Sequence, residues 1–374
     1  MTNNTKRVII LGASYAGILA LRTLLSRKNP ANLELVIRII SPNDHTYFNM
    51  SSPRLLVEPD SINKVVFSLQ DLISKLKVNS KHKVEYVQGS VKNVDLDNRQ
   101  VDLHKSESSL NYDYLMVATG TRSDCLALKL DNLLDHSYSI NAVKRLSEDI
   151  KHAESIAVVG AGITGVEVIA ELSSNYGKTT TFDLYTGNEH LLPELKECHR
   201  RQVVERLTNF GVSIINNEKV KVSKDSKSVI FKDGTVKEYS LVIPTFRNIP
   251  NTEFLPGKVL AASGYVYTDK HLRLEKYHNV ICLGDILEMG ASSCVDLVYA
   301  QKSVLESTVD YEIFEQKSVK LKTHKKYEPS YQFVIPLGKD GGVGVAYGIC
   351  LPNFLVRYAK AKDYFIPKAK EVFG

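Results

Sequence analysis

The sequence predicts an α/β protein built from two Rossmann-like dinucleotide-binding domains, the second inserted in the first, followed by a small C-terminal α+β domain. Three observations carry this prediction. Residues 7–25 (RVIILGASYAGILALRTLL) and 155–172 (SIAVVGAGITGVEVIAEL) repeat one order of apolar strand, glycine turn and helix. Two further apolar runs, 112–120 and 279–285, end in small-residue turns on either side of the second repeat. The last 59 residues change character, mixing short strands with a basic amphipathic stretch.

In each repeat four or five apolar residues precede the first glycine, as in a strand buried on both faces. Behind the turns, Ile18, Leu21, Leu24 and Leu25, and again Val166, Ile169 and Ala170, return at helical spacing. Each unit then reaches a second apolar strand, 35–40 and 181–185, which completes two βαβ units. Residues 84–88, 91–96 and 100–103 alternate like short antiparallel strands, and 114–118 reads as a buried strand. Later come a helix over 197–210, a hairpin over 229–236 turning at Asp233-Gly234, and a buried strand over 280–283. A helix follows from about 292 to 310, then strands over 331–336 and 343–349, then the amphipathic stretch 353–361. No Pro/Gly/Ser linker separates the units, so insertion is expected: 1–121 with 247–312 as one dinucleotide-binding domain, 122–246 as the other, and 313–374 as the small basic domain.

Of 374 residues 43% are hydrophobic and 24% charged, which excludes disorder, collagen and coiled coil as the main architecture. The five cysteines form no CxxC or CxxxxC pair, arguing against a dithiol redox centre and a paired-cysteine zinc site. Scattered thiols fit a reducing compartment and small buried apolar positions. The ten histidines have no metal-ligand spacing, so no metal is expected. The first strand starts at Arg7, leaving no room for a cleavable targeting segment, and Thr2 stands where myristoylation needs glycine. Residues 341–356 are too short and too broken for a membrane span. Net charge is +6, yet 316–374 holds 11 Lys+Arg against 4 Asp+Glu, so the rest of the chain sums to −1. A basic tail on a near-neutral body points to an anionic partner, a membrane surface ahead of nucleic acid, with a merely solvated face as the alternative.

Gly160-Ala-Gly162-Ile-Thr164-Gly165 matches G-x-G-x-x-G in strand–helix context. The first glycine permits the tight turn, the second lets backbone approach a pyrophosphate, and the third lets helix and strand pack closely. Amides at the helix start then face the anion. Gly12-Ala-Ser14-Tyr15-Ala16-Gly17 departs at Ser14, where a hydroxyl takes the place of the second glycine. Neither unit ends its second strand in the acid that grips an adenosine ribose: Ser41 and Thr186 stand there. At Thr186 no carboxylate repels a 2′-phosphate, so NADPH is not excluded beside NADH.

With Ala118-Thr119-Gly120 before the second unit and Gly284-Asp285 after it, the chain resembles the two-dinucleotide-binding-domain flavoprotein family. The resemblance implies that ATG marks the crossing from an FAD domain to an NAD(P)H domain, and that Asp285 bonds the ribitol of FAD. His45-Thr-Tyr-Phe-Asn followed by Pro53-Arg54 is similar to the apoptosis-inducing-factor-like, ferroptosis-suppressor-like branch, where Arg54 would contact FAD. Residues 86–95 resemble the stretch whose valine backbone, here Val91, holds the adenine. Residues 340–344 and 355–365 resemble that branch's C-terminal domain, while the glutathione-reductase branch would need a dithiol near 49–53. Arg247 opens 247–252 (RNIPNT) where the family has glycine, and with Ser14 this implies weaker FAD binding.

The implied activity is FAD-dependent oxidation of NADH or NADPH with a quinone-like acceptor. The alternatives are a flavoprotein with a cell-death or nucleic-acid-binding role, and a reductase of a small electron-transfer protein. Glu167, read as lying in the first helical turn, would orient the nicotinamide carboxamide or pair with a lysine; a plain helix-start acid is the alternative. Lys129 would face flavin N5, and His45 would touch the cofactor or sit in the core. Phe354, Leu355 and Tyr358 near Arg357, Lys360 and Lys362 read as a membrane-surface helix or as a helix packed on the FAD domain. The expected protein is cytoplasmic, monomeric or weakly dimeric, and peripheral on a membrane such as the mitochondrial outer membrane or lipid droplets.

Overall fold

In the computed structural model, which describes residues 5–30, 32–129, 136–246, 248–290, 293–325 and 328–373, the apolar run before Gly12 becomes the strand Thr5–Leu11, buried from Val8 onward. It lies inside a six-stranded sheet, between parallel neighbours Glu34–Ser41 and Tyr114–Val117. Lys83–Gln88 extends one side, Tyr277–Cys282 the other, and Arg273–Leu274 closes that edge antiparallel. From Val8 and from Leu115 onward two inner strands show no polar side, which is why they read as unbroken apolar runs. Lys83–Gln88 corrects the expectation of a short antiparallel strand: it pairs in parallel with Glu34–Ser41. Alternation reports one exposed face and carries no information on direction. Val91–Asp95, Gln100–Leu103 and Leu110–Asn111 do form an antiparallel sheet.

The second glycine turn follows Ser155–Val159, which lies in a four-stranded parallel sheet between Thr181–Tyr185 and Leu241–Pro244, with Val212–Ile215 at the edge. The chain leaves and re-enters the first sheet's neighbourhood along one antiparallel ladder, Thr121–Ser123 against Asn248–Pro250. Asn251 locks this crossing: its Nδ2 donates to Thr119 O at 3.0 Å, and its Oδ1 accepts from Arg122 at 2.8 Å. Arg247 lies outside the described residues.

The tail packs on the rest of the chain. Phe333–Pro336, Gly342–Ala346 and Ile349–Cys350 form an antiparallel sheet, in which a turn at Tyr347-Gly348 divides the single strand expected over 343–349. Phe333, Ile335, Val343 and Val345 belong to the same buried apolar cluster as strands of both parallel sheets. The Phe373 ring meets the Tyr15 ring edge-on at 4.9 Å, next to the first glycine turn. The helix expected from about 292 to 310 opens with a wide π turn, Asp296–Gln301, and continues as Lys302–Glu312. Among the described residues no helix is long and apolar enough to cross a membrane.

Candidate functional site

Both glycine turns are forced by sterics. Gly12 and Gly160 adopt φ of +97° and +107°, a region that side chains disfavour. A Cβ on Gly17 would lie 1.8 Å from Gly12 O, and one on Gly165 would lie 1.9 Å from Gly160 O. These third glycines therefore let helix and strand touch, and they stand back from the cavity that the turns border. That cavity is about 2330 Å³, more than twice the upper end of the usual range of about 300–1,000 Å³ for one small ligand. Gly12, Ser14, Tyr15 and Ala16 line it from the first turn, and Gly160, Gly162 and Thr164 from the second. Val91, Ala118, Thr119, Gly120, Thr186, Gly284 and Asp285 complete the sequence-flagged part of the wall.

The wall fits a dinucleotide at each turn. The helices Tyr15–Ser26 and Ile163–Tyr176 have no acid in the first turn and no side-chain cap bond from Ser14 or Gly162. Their first N–H groups thus keep their partial positive charge for an anion. A Cβ on Gly162 would meet nothing within 4 Å, so backbone there is open to close approach. At the matching position Ser14 accepts a long 3.4 Å bond from Thr46 Oγ1.

Two ion pairs border the same space. Lys129 Nζ lies 3.0 Å from Asp285 Oδ2 and also reaches the Thr121 hydroxyl. Glu167 Oε1 lies 2.6 Å from Lys360 Nζ. Burial holds the Glu167 carboxyl above the usual carboxylate range, Lys360 opposes that shift, and neighbouring Glu171 adds to it. Cys294 also lines the wall, its thiol pushed up to about 12 chiefly by burial and next by Asp285, so it stays protonated. His45 is buried at the wall, with Nδ1 2.7 Å from Asp44 and Nε2 3.1 Å from Ser139 Oγ. Among the described residues no cluster of His, Cys, Asp and Glu could hold a metal ion.

Three expectations are corrected. Arg54 does not line the cavity: it is 1% exposed, and its Nε and NH2 grip Glu171 at 2.7 and 3.1 Å. NH2 also donates to the carbonyl of Ala361 and NH1 to that of Lys362, with the Glu58 carboxylate 3.7 Å from NH1, so the guanidinium is held among protein groups away from the cavity wall. Burial works against its charge, but Glu171, with Glu58 and Tyr364 adding to it, outweighs burial and raises its pKa. Glu167 lies in the second turn of its helix, not the first, so its partner is Lys360 rather than the helix dipole. Lys360 accordingly points inward. Phe354, Leu355, Arg357, Tyr358 and Lys362 are exposed, while Val356 and Ala361 are buried, so the segment both packs and presents an apolar–basic face.

Sequence reasoning passed over Cys294, Glu171 and Lys219. Lys219 lines the cavity beside the strand end at Thr186, its side chain lying across Gly187. The missing acid at Thr186 was the signal to look there.

Residues 6–310 match the family described as pyridine nucleotide-disulphide oxidoreductase. Oxidoreductase ptaL of Pestalotiopsis fici is 25% identical over 363 residues, covering 94% of each chain. Ferroptosis suppressor protein 1 of Taeniopygia guttata is 26% identical over 380 residues, covering 98% of this chain and 96% of its own. The solved sulfide:quinone oxidoreductase of Aquifex aeolicus superposes with a TM-score of 0.73 at 15% identity, over 98% of this chain and 92% of its own. At that identity the likeness establishes the fold.

Proposed function

The chain belongs to the pyridine nucleotide-disulphide oxidoreductase family, and from that membership we propose an oxidoreductase with FAD as bound cofactor and NADH or NADPH as co-substrate, delivering electrons to a quinone-like acceptor. The observation that carries this reading is the meeting, at one cavity, of two uncapped helix starts and two ion pairs. When bound, FAD supplies the two-electron centre that takes hydride from NAD(P)H and passes electrons on. The amides at 14–16 would hold one pyrophosphate and those at 162–164 the other. Asp285 would accept hydrogen bonds from ribityl hydroxyls, with Lys129 balancing its charge. Glu167 Oε1 and Lys360 Nζ hold a proton between them, positioned to orient a carboxamide or to protonate a reduced acceptor.

Two features favour a quinone over a disulfide. All five cysteines are free thiols, and Cys294 lines the cavity without a second cysteine in its wall. A lipophilic acceptor also suits a chain that turns Phe354, Leu355 and Tyr358 outward beside Arg357 and Lys362, a composition matched to a bilayer surface. The sulfide:quinone oxidoreductase that shares the fold names a quinone among its substrates. An anaerobic titration tests the proposal: the protein is yellow, bleaches with NADH or NADPH, and regains colour on adding a short-chain quinone. Recovery with a protein acceptor alone makes it a reductase of an electron-transfer protein. Absence of bleaching rejects the redox reading and leaves the cell-death or nucleic-acid role to be tested by salt-sensitive DNA retention.

A further inference from the structure

Asp296 and Gln301 are five residues apart, a spacing that puts side chains roughly 140° apart around an ordinary α-helix. In the π turn Asp296–Gln301 the two meet: Gln301 Nε2 donates to Asp296 Oδ2 at 2.6 Å. At its other end Gln301 Oε1 accepts the N–H of Gly284 at 2.7 Å. The second Asp296 oxygen, Oδ1, lies 3.3 Å from Nε2 of His324. All three side chains are buried. They form a line from the Gly284-Asp285 turn, through the helix that follows it, to a histidine of the tail.

The line has a fixed polarity. A backbone N–H only donates, so Gln301 must offer its oxygen to Gly284 and its amino group to Asp296, and Asp296 must accept. Turning the Gln301 amide over would set an amino group against the Gly284 N–H. Gly284 itself has little freedom, with φ at +84° and the Ala16 methyl 2.8 Å from where its Cβ would be. The next residue is Asp285, whose carboxylate meets Lys129 at the cavity wall. Wide helical turns recur where an extra residue of rotation serves a site, and here the rotation brings the two ends of this relay together.

We infer that Gln301, Asp296 and His324 are positioning residues for the Gly284-Asp285 turn, setting the Asp285 carboxylate against FAD through the backbone of Gly284. The inference rests on the proposed function, in that FAD is the group the wall receives. It predicts a sharp difference between like-sized substitutions. Asp296→Asn keeps an oxygen for Gln301 and turns its amino group to His324, whose neutral ring accepts at Nε2. Asp296→Leu removes both acceptors and frees Gln301 to rotate. At the far end His324→Gln keeps a donor toward Asp296, and His324→Leu removes it.

The test uses the full chain stripped of FAD and titrated with FAD, reading flavin fluorescence for Kd, the visible bands of the bound flavin, and the melting temperature of the apoprotein. Asp296→Asn and His324→Gln are expected within twofold of wild-type Kd, with unchanged bands. Asp296→Leu is expected about tenfold weaker, equivalent to about 1.4 kcal/mol, with shifted bands, and His324→Leu changes both in the same direction by less. Leu variants that melt earlier yet keep wild-type Kd and bands would mean that the line merely supports the core, and the inference fails. Should Asp296→Leu not fold, the two His324 variants decide by the same readings. A wild-type protein that binds no FAD overturns the functional reading itself, whereas wild-type binding with four indifferent variants overturns this inference alone.

Discussion

Replacing Lys360 by methionine tests the buried pair at the cavity most directly. The Glu167 and Lys360 side chains are 6% and 13% exposed, so the lysine's removal leaves a carboxylate with little water to replace it. Stranding one partner of a buried pair costs about 3–5 kcal/mol when the survivor stays charged. Glu167 has an escape, because burial already raises its pKa and Glu171 adds to that: it takes up a proton. A carboxyl whose folded pKa lies above its unfolded value, about 4.3, contributes stability below that unfolded value and loses it as pH climbs through the folded one. The loss is at most about 1.4 kcal/mol per pH unit for one proton. Lys360→Met apoprotein should therefore melt close to wild type at pH 5 and about 6–10 °C lower at pH 8, taking about 2 °C per kcal/mol for a chain of this size. Adding Glu167→Gln should erase the pH dependence. A melting shift equal at both pH values, or one that survives in the double variant, refutes the reasoning.

Arg54→Met should cost about 3–5 kcal/mol in chemical denaturation, because Glu171 is left wholly buried without its partner; Arg54→Met with Glu171→Met should recover most of that loss. Gly165→Ala should fail to give soluble protein, since its Cβ meets Gly160 O at 1.9 Å, whereas Gly162→Ala should melt like wild type and raise the KM for NAD(P)H about tenfold. Lys219→Ala should lower kcat/KM for NADPH about tenfold and leave NADH within twofold, the loss of one charge contact to a 2′-phosphate; an equal loss with both nucleotides would show that Lys219 does not sense the phosphate.

The glycine turns were legible because their requirements are local: a positive φ at Gly12 and Gly160 and a close contact at Gly17 and Gly165 each need glycine within a few residues of chain. Asp285 and Lys129 were flagged singly, one by its turn and one by its place after Gly120, but their contact spans 156 residues and no local pattern encodes it. Arg54 misled because the resemblance carried over a residue type, and a guanidinium that would contact FAD serves a buried carboxylate equally well. Glu171, which claims it, sits unremarked in a helix 117 residues away. Lys360 was grouped with its basic neighbours by residue type, yet a carboxylate 193 residues earlier turns it inward. The direction of Lys83–Gln88 was equally illegible, since alternation is the same for either sense of pairing.

By itself the sequence determined the two βαβ units, their order, and the places where backbone must lie open, because strand burial and tight turns depend on residues adjacent in the chain. Only the tertiary structure decided which charges face one another: Glu167 with Lys360, Arg54 with Glu171, Asp285 with Lys129. Coulomb forces act between neighbours in space, and desolvation makes a buried charge depend on whichever opposite charge the fold delivers to it.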